Sequence, residues 1–187
     1  ANNQKEVKTI QAYISSVENN FANSGAADCE TLQNVYASKV EENKSNLDFL
    51  KQTIALLRRS RCQEAEVYFT ASGYAHAIEP TAESAVGLAK QAVKKQDYET
   101  AIKFFEEAVS LEADPVEKAN DYYMIALLTF EQNSYSKARE YCRKAIAENA
   151  NYGAPYLLIG KMYAATAKSV YPSDGVMARA VYYAAID

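Results

Sequence analysis

The sequence predicts an all-α fold built from antiparallel pairs of helices. Apolar residues recur at steps of three and four along most of the chain, which is the helical period. No segment shows sustained alternation of apolar and polar residues, so we predict no β-sheet. Gly and Pro are sparse, at 6 and 4 in 187 residues. Each proline follows or begins a periodic segment, as expected at helix boundaries: Pro80, Pro115, Pro155 and Pro172.

Composition and charge exclude several classes of protein. The chain is 49% hydrophobic and 24% charged, which is typical neither of a disordered chain nor of a membrane span. No apolar run approaches the roughly 18 residues that crossing a bilayer requires. The net charge of -4 and the pI near 5.2 argue against a broad nucleic-acid surface, and the one basic stretch, 56–62, is typical of a solvated helix end. We therefore expect no nucleic-acid partner and no direct membrane span.

An internal repeat decides the predicted architecture. Residues 82–115 align with residues 119–152, and the same small or aromatic residue types recur at the same offsets. A third copy begins near residue 153, where Ile159-Gly160 falls 34 residues after Ile125-Ala126. The matched positions are Leu88-Ala89 with Ile125-Ala126, Tyr98 with Tyr135, Ala101 with Ala138, Phe105 with Cys142, and Ala108 with Ala145.

This pattern resembles the tetratricopeptide repeat, whose unit has about 34 residues. The resemblance implies a superhelix, or α-α solenoid, of antiparallel helix pairs. Small residues let the two helix axes of a pair approach closely, so we expect Ala89 to face Ala101 and Ala108. An irregular helical bundle is the alternative.

The repeat count divides the chain into an N-terminal part and an array. We expect capping helices over 1–42, a degenerate repeat over 43–80, and two clear repeats over 82–115 and 119–152. A last repeat over 153–187 carries an inter-helix insertion at 168–175 and then a truncated helix with Ala178, Tyr182 and Ala185. This final helix has no polar cap after it, which predicts either a longer natural chain or self-association through its uncovered face.

The sequence shows no constellation of catalytic or metal-binding residues. Hydrolytic sites usually need a base beside a nucleophile, and the single histidine, His76, occupies a position that favours packing. A Walker loop, GxGxxG, HExxH and paired CxxC motifs are all absent from the sequence. We therefore predict no catalytic residue, no metal site, no cofactor and no enzyme activity.

The three cysteines fall into two groups. Cys142 stands where the matching repeat has Phe105, which predicts a small buried hydrophobe. Cys29 and Cys62 each mark a helix boundary, and a turn at 41–46 would bring both to the same end of an antiparallel helix pair, where a disulfide can form. Such a disulfide would indicate an oxidising compartment, for example a bacterial periplasm, with the cytoplasm as the alternative. The rival hypothesis is a reactive Cys62 thiolate whose pKa is lowered by Arg58, Arg59 and Arg61.

The resemblance also implies a function, which is binding of a protein or peptide in a concave groove lined by the first helix of each repeat. The groove suits an extended or helical segment with hydrophobic anchors and some acid. Family members that grip a chaperone's C-terminal carboxylate carry Asn at the ninth place, where this chain has Lys90, Leu127 and Lys161, so we do not expect that partner. Carried over by repeat position, the groove residues are Lys90, Lys94, Asn120, Tyr123, Leu127, Phe130, Leu157 and Lys161.

Two other functions stay open from the sequence. One is a helical receptor module for a small molecule or glycan in an outer-membrane nutrient-binding system, which predicts clustered exposed aromatic residues. The other is the scaffold portion of a larger enzyme. The layout resembles exported bacterial repeat proteins, and this implies a periplasmic or otherwise exported location.

Overall fold

A computed structural model describes residues 28–170 and, before them, ten helical residues at 6, 7, 9, 10, 12, 13, 16, 17, 20 and 21. The described range from 28 onward contains helices and turns but no strand, in agreement with the predicted all-α class. Its helices are α1 Cys29–Glu42, α2 Leu47–Arg59, α3 Glu66–Ile78, α4 Ala82–Lys94, α5 Tyr98–Leu111, α6 Pro115–Glu131, α7 Tyr135–Glu148 and α8 Gly153–Val170.

Short polar side chains determine where most of the helices begin. A side-chain oxygen at the residue before each of five helices accepts a hydrogen bond from a backbone N–H of the first turn, which satisfies a donor that has no partner within the helix. At α4 the arrangement is a reciprocal capping box between Thr81 and Ser84. The five capping residues are Asp28, Asn46, Thr81, Asp97 and Asp114.

The turns after α2, α4 and α6 share one backbone conformation. In each, the second residue after the helix is left-handed, with φ of 57° at Arg61, 60° at Gln96 and 56° at Asn133. After α2 and α6 the hydrogen bonds also match, because Cys62 N–H donates to Leu57 O and Ser134 N–H donates to Thr129 O, as in a Schellman motif. Helices α2 and α6 therefore end in the same kind of turn.

The chain divides into two compact units, Ala1–Lys95 and Gln96–Asp187. In the first unit, α3 packs against α2 and α4. The centre of this core contains large side chains that are fully buried, and Phe49 and Tyr74 pack at its margin. The buried core residues include Leu50, Ile54, Leu57, Val67, Tyr68 and Phe69.

Helix α1 lies on α3 and also contacts α2. Residues 43–46 form the turn between α1 and α2, within the stretch where the sequence predicts one. This turn returns the chain so that Cys29 and Cys62 form a disulfide, with 5.3 Å between their Cα atoms. Two further contacts fix α1 along α3: the Gln33 side-chain oxygen accepts a hydrogen bond from Val67 N–H at 2.8 Å, and Tyr74 OH donates to Glu41 at 2.8 Å.

In the second unit, α6 packs against α5 and α7, and α8 packs against α7 and α6. Ala126 and Ala138 belong to one buried cluster with Cys142, Leu158 and Met162. The small residues at matching repeat positions therefore bring α6 and α7 together as the alignment of residues 119–152 predicts. Cys142 is fully buried, as expected for a residue at the Phe105 position.

The last helix is longer than predicted. We expected a turn-rich insertion over 168–175, but α8 continues through Val170, so the first three of these residues are helical. The segment just before them is rich in alanine, which has the highest helix propensity and favours extension of the helix. The predicted helix with Ala178, Tyr182 and Ala185, and the self-association assigned to it, lie outside the described residues.

Candidate partner-binding surface

Six of the eight predicted groove residues lie in the second unit, on α6 and α8. Tyr123, Leu127 and Phe130 are half-buried on α6 and pack against the cluster of Ala126, Ala138, Cys142, Leu158 and Met162. Each of the three keeps part of its side chain in contact with solvent. Together with Asn120, Leu157 and Lys161 they form what we call the α6–α8 surface.

Ring contacts hold the two aromatic residues of this surface. The Tyr123 ring meets the Tyr152 ring edge to face, with 5.3 Å between centroids, and the Phe130 ring lies 5.5 Å from the Tyr135 ring. Burial raises the pKa of Tyr123, so its phenol is neutral at physiological pH. These rings are fixed before any partner arrives, which lowers the entropic cost of binding.

Leu157 is the most exposed large hydrophobic side chain of the second unit's described residues, at 72%. Its neighbour Leu158 is 3% exposed and belongs to the core cluster. Successive residues of a helix point about 100° apart, so one leucine completes the core while the other faces solvent. Lys161 follows Leu157 by one helical turn and lies on the same side of α8.

The two polar residues of this surface differ in what they contact. Asn120 is half-buried, and its side-chain amide lies 3.5 Å from a carboxylate oxygen of Glu117. Lys161 is exposed and has no ion-pair partner among residues 28–170. Its ammonium is therefore available to an acidic group of another molecule.

The remaining two predicted groove residues, Lys90 and Lys94, belong to the first unit and hold α4 against the start of α3. The Lys90 ammonium donates to the Gln63 side-chain oxygen at 2.9 Å. The Lys94 ammonium donates to Glu64 O at 3.3 Å, lies 3.6 Å from the Glu66 carboxylate, and stands 5.0 Å above the Phe69 ring. The repeat alignment predicted that both lysines are exposed cations of the groove. It could not reveal these partners, because they lie 25 to 30 residues away in sequence.

A serine–histidine contact near α4 does not resemble a catalytic pair. His76 Nδ1 lies 3.1 Å from Ser84 Oγ, a distance also found between a nucleophile and its base. Ser84 is fully buried, however, and its hydroxyl is engaged with the backbone of Thr81 in the capping box. The contact therefore fixes the end of α3 on the start of α4.

The part of the chain that the structure describes has neither a metal-binding cluster nor a membrane-spanning helix. No group of three or more His, Cys, Asp or Glu side chains is arranged to hold a metal ion there. None of the helices in that part is both long enough and apolar enough to cross a membrane.

Comparison with known proteins identifies the repeat. The family model of the tetratricopeptide repeat matches residues 82–115 and 122–152. The crystal structure of MamA has a similar fold, with a TM-score of 0.64, 16% sequence identity, and coverage of 87% of this chain and 90% of that chain. The predicted resemblance is confirmed over these residues, which are tetratricopeptide repeats, and the fold is of the all-α solenoid class. The resemblance to exported bacterial proteins stays a prediction.

Proposed function

We propose that this tetratricopeptide repeat protein is a non-catalytic scaffold that binds a protein or peptide segment on the α6–α8 surface. The observation that carries the proposal is the 72% exposure of Leu157, on a helix that contacts the one bearing Tyr123 and Leu127. A large apolar side chain that is exposed on a helix packed against another with half-buried aromatic and aliphatic residues is typical of an interaction anchor.

The charge of the surface indicates the chemistry of the partner. Lys161 presents an ammonium one turn from Leu157, and its charge has no counterpart among residues 28–170. A partner segment that places an aliphatic or aromatic side chain on Leu157 gains further free energy if an Asp or Glu lies about one helical turn away. We therefore expect an acidic residue close to the apolar anchor of the partner.

A peptide selection followed by affinity measurement tests this function. A random peptide library displayed on phage is selected on the immobilised protein, and a peptide enriched in the selection is then labelled and titrated by fluorescence polarisation. We expect Leu157→Ser to weaken binding at least tenfold. We expect Lys161→Glu to weaken it several-fold, with recovery when the acidic residue of the peptide is replaced by Lys.

Leu111→Ser is the matched control, because Leu111 is also an exposed leucine of the second unit, at 47%, but lies at the end of α5. It should leave the affinity unchanged. Substitutions at Tyr123 and Phe130 are less suitable, since both rings are half-buried and their removal also removes packing. Equal affinities of the wild type and Leu157→Ser, or no enriched peptide at all, would contradict the proposal.

We also propose that the protein is exported to an oxidising compartment such as the periplasm. The Cys29–Cys62 pair supports this location, since disulfides persist in such compartments and are rare in the cytosol. Fractionation of the native cells, with alkylation of free thiols at lysis, measures both properties. A cytosolic protein with Cys29 and Cys62 alkylated would exclude the proposed location.

A further inference from the structure

We propose that the Cys29–Cys62 disulfide is a redox latch for α1, and that a dithiol reductant opens it at Cys29 and releases α1 from the start of α3. Three features lie at the same end of α1. They are the disulfide, the hydrogen bond from Val67 N–H to Gln33, and the exposed Cys29.

Helix α1 is held by few apolar contacts. Of its 14 residues only Leu32 and Val40 are buried, and Tyr36 adds a half-buried ring 6.4 Å from the Phe49 ring. Ordering the backbone of a helix this long costs free energy at every residue. The disulfide lowers this cost, because it keeps the start of α1 beside α3 even when the noncovalent contacts open.

The start of α3 relies on α1 for its cap. The residue before α3 is Ala65, which has no side-chain acceptor and therefore makes no side-chain cap hydrogen bond to the first turn. The Gln33 side-chain oxygen takes that role by accepting from Val67 N–H at 2.8 Å. Gln33 stands one turn after Cys29, so a break of the disulfide frees the same turn of α1 that caps α3.

The disulfide is accessible to a reductant from the Cys29 side. Cys29 is exposed while Cys62 is 1% exposed, and both line a surface cavity of about 440 Å³. Gln33, Arg61 and Glu64 also line this cavity, which opens at the surface and has a mostly apolar wall. A thiolate can therefore reach the Cys29 sulfur from solvent.

The reaction is a thiol–disulfide exchange with a dithiol. The thiolate of the reductant bonds to Cys29 Sγ, the sulfur–sulfur bond breaks, and its electron pair leaves with Cys62 Sγ, which takes up a proton. The second thiol of the reductant then displaces Cys29 Sγ, which is also protonated. In total, two electrons and two protons pass from the dithiol, which becomes a disulfide, to the two cysteines.

Hydrogen exchange measured by mass spectrometry tests the latch on the purified chain, with and without dithiothreitol as the dithiol. After reduction we expect exchange at least tenfold faster in α1 and in the first turn of α3. In α6 and α7 we expect a change below twofold. Unchanged exchange in α1, or an equal acceleration in α7, would overturn the proposal.

Two variants separate the latch from general effects of the reductant. Cys29→Ser should reproduce the fast exchange of α1 without dithiothreitol and should not respond to it further. Cys142→Ala removes the buried free thiol, keeps the disulfide, and should retain the full response to dithiothreitol. Slow exchange of α1 in Cys29→Ser, or loss of the response in Cys142→Ala, would show that the disulfide does not hold α1.

Discussion

Gly87 on α4 lies so close to Ser72 on α3 that a Cβ atom at Gly87 would stand 2.0 Å from Ser72 Oγ and 2.3 Å from Ser72 Cβ. Both residues are buried, and the contact belongs to the α3–α4 packing of the first unit. The absence of a side chain at Gly87 is therefore what allows these two helices to approach at this point.

We predict that Gly87→Ala lowers the free energy of unfolding by about 1–3 kcal/mol, the usual cost of overpacking. This loss should appear even though alanine has a helix propensity about 1 kcal/mol better than that of glycine. Urea unfolding followed by circular dichroism measures the change.

Gly73→Ala is the matched control for this substitution. A Cβ at Gly73 would meet only Leu88 Cδ2 at 3.8 Å, an ordinary van der Waals distance, so this variant should be neutral or more stable. Ser72→Gly in the Gly87→Ala background removes the clashing atoms and should restore part of the loss. If both alanine variants gave the same stability, the close approach would not be the cause.

The cap supplied by Gln33 gives a second prediction. Gln33→Ala leaves Val67 N–H without its acceptor at a residue that is 2% exposed, and we expect a loss of about 1–3 kcal/mol. Gln33→Glu keeps an acceptor there and adds negative charge at a helix N-terminus, so it should match or exceed the wild type. Chemical denaturation of the three proteins measures the effect, and a Glu variant as unstable as the Ala variant would refute the capping role.

Adjacent leucines of α8 provide a third prediction. Leu158→Ala should cost about 2–5 kcal/mol because Leu158 belongs to the core cluster. Leu157→Ala should change the free energy of unfolding by less than about 0.5 kcal/mol, as is usual for exposed positions. Thermal and urea unfolding of both variants measure the difference. Comparable losses in the two variants would mean that Leu157 is also part of the core and would remove the basis of the α6–α8 surface.

Thiol counting gives a fourth prediction. Burial raises the pKa of Cys142 to about 11, so its thiolate is scarce at pH 8 and its sulfur is inaccessible. We expect no reaction with a thiol reagent in the native protein, one thiol after unfolding without reductant, and three after unfolding with reductant. Two additional reactive thiols in the unfolded but unreduced protein would exclude the disulfide.

The start of α1 gives a fifth prediction, on pH. The Asp28 carboxylate accepts hydrogen bonds from Thr31 N–H and from the Thr31 hydroxyl, and these lower the pKa of Asp28. A carboxyl whose pKa is lower in the folded state stabilises fully above its unfolded pKa of about 3.9, and this stabilisation is lost as the pH falls through the lower folded value. Thermal unfolding should therefore show a loss of stability between pH 5 and pH 2 that is smaller in Asp28→Asn, which accepts the same bonds without titrating. Identical pH profiles would exclude a contribution from Asp28.

The residues assigned to the groove from repeat positions fall into two groups. The offset rule places Tyr123, Leu127 and Leu157 on helices α6 and α8, which contact each other. It also selects Lys90 and Lys94, whose ammonium groups are engaged with the start of α3. Counting along one repeat cannot detect this engagement, because the partners belong to the preceding helix pair.

The sequence by itself determined the helices, their starting caps and the register of the repeats. These depend on interactions within a few residues, such as the apolar period of three and four and the hydrogen bond that Thr31 N–H donates to the Asp28 carboxylate. Only the tertiary structure decided that Gln33 caps α3, that Gly87 admits Ser72, and that Leu157 is exposed while Leu158 is buried. Each of these depends on how one helix lies against another, and local periodicity does not specify which neighbouring atoms cover a given face.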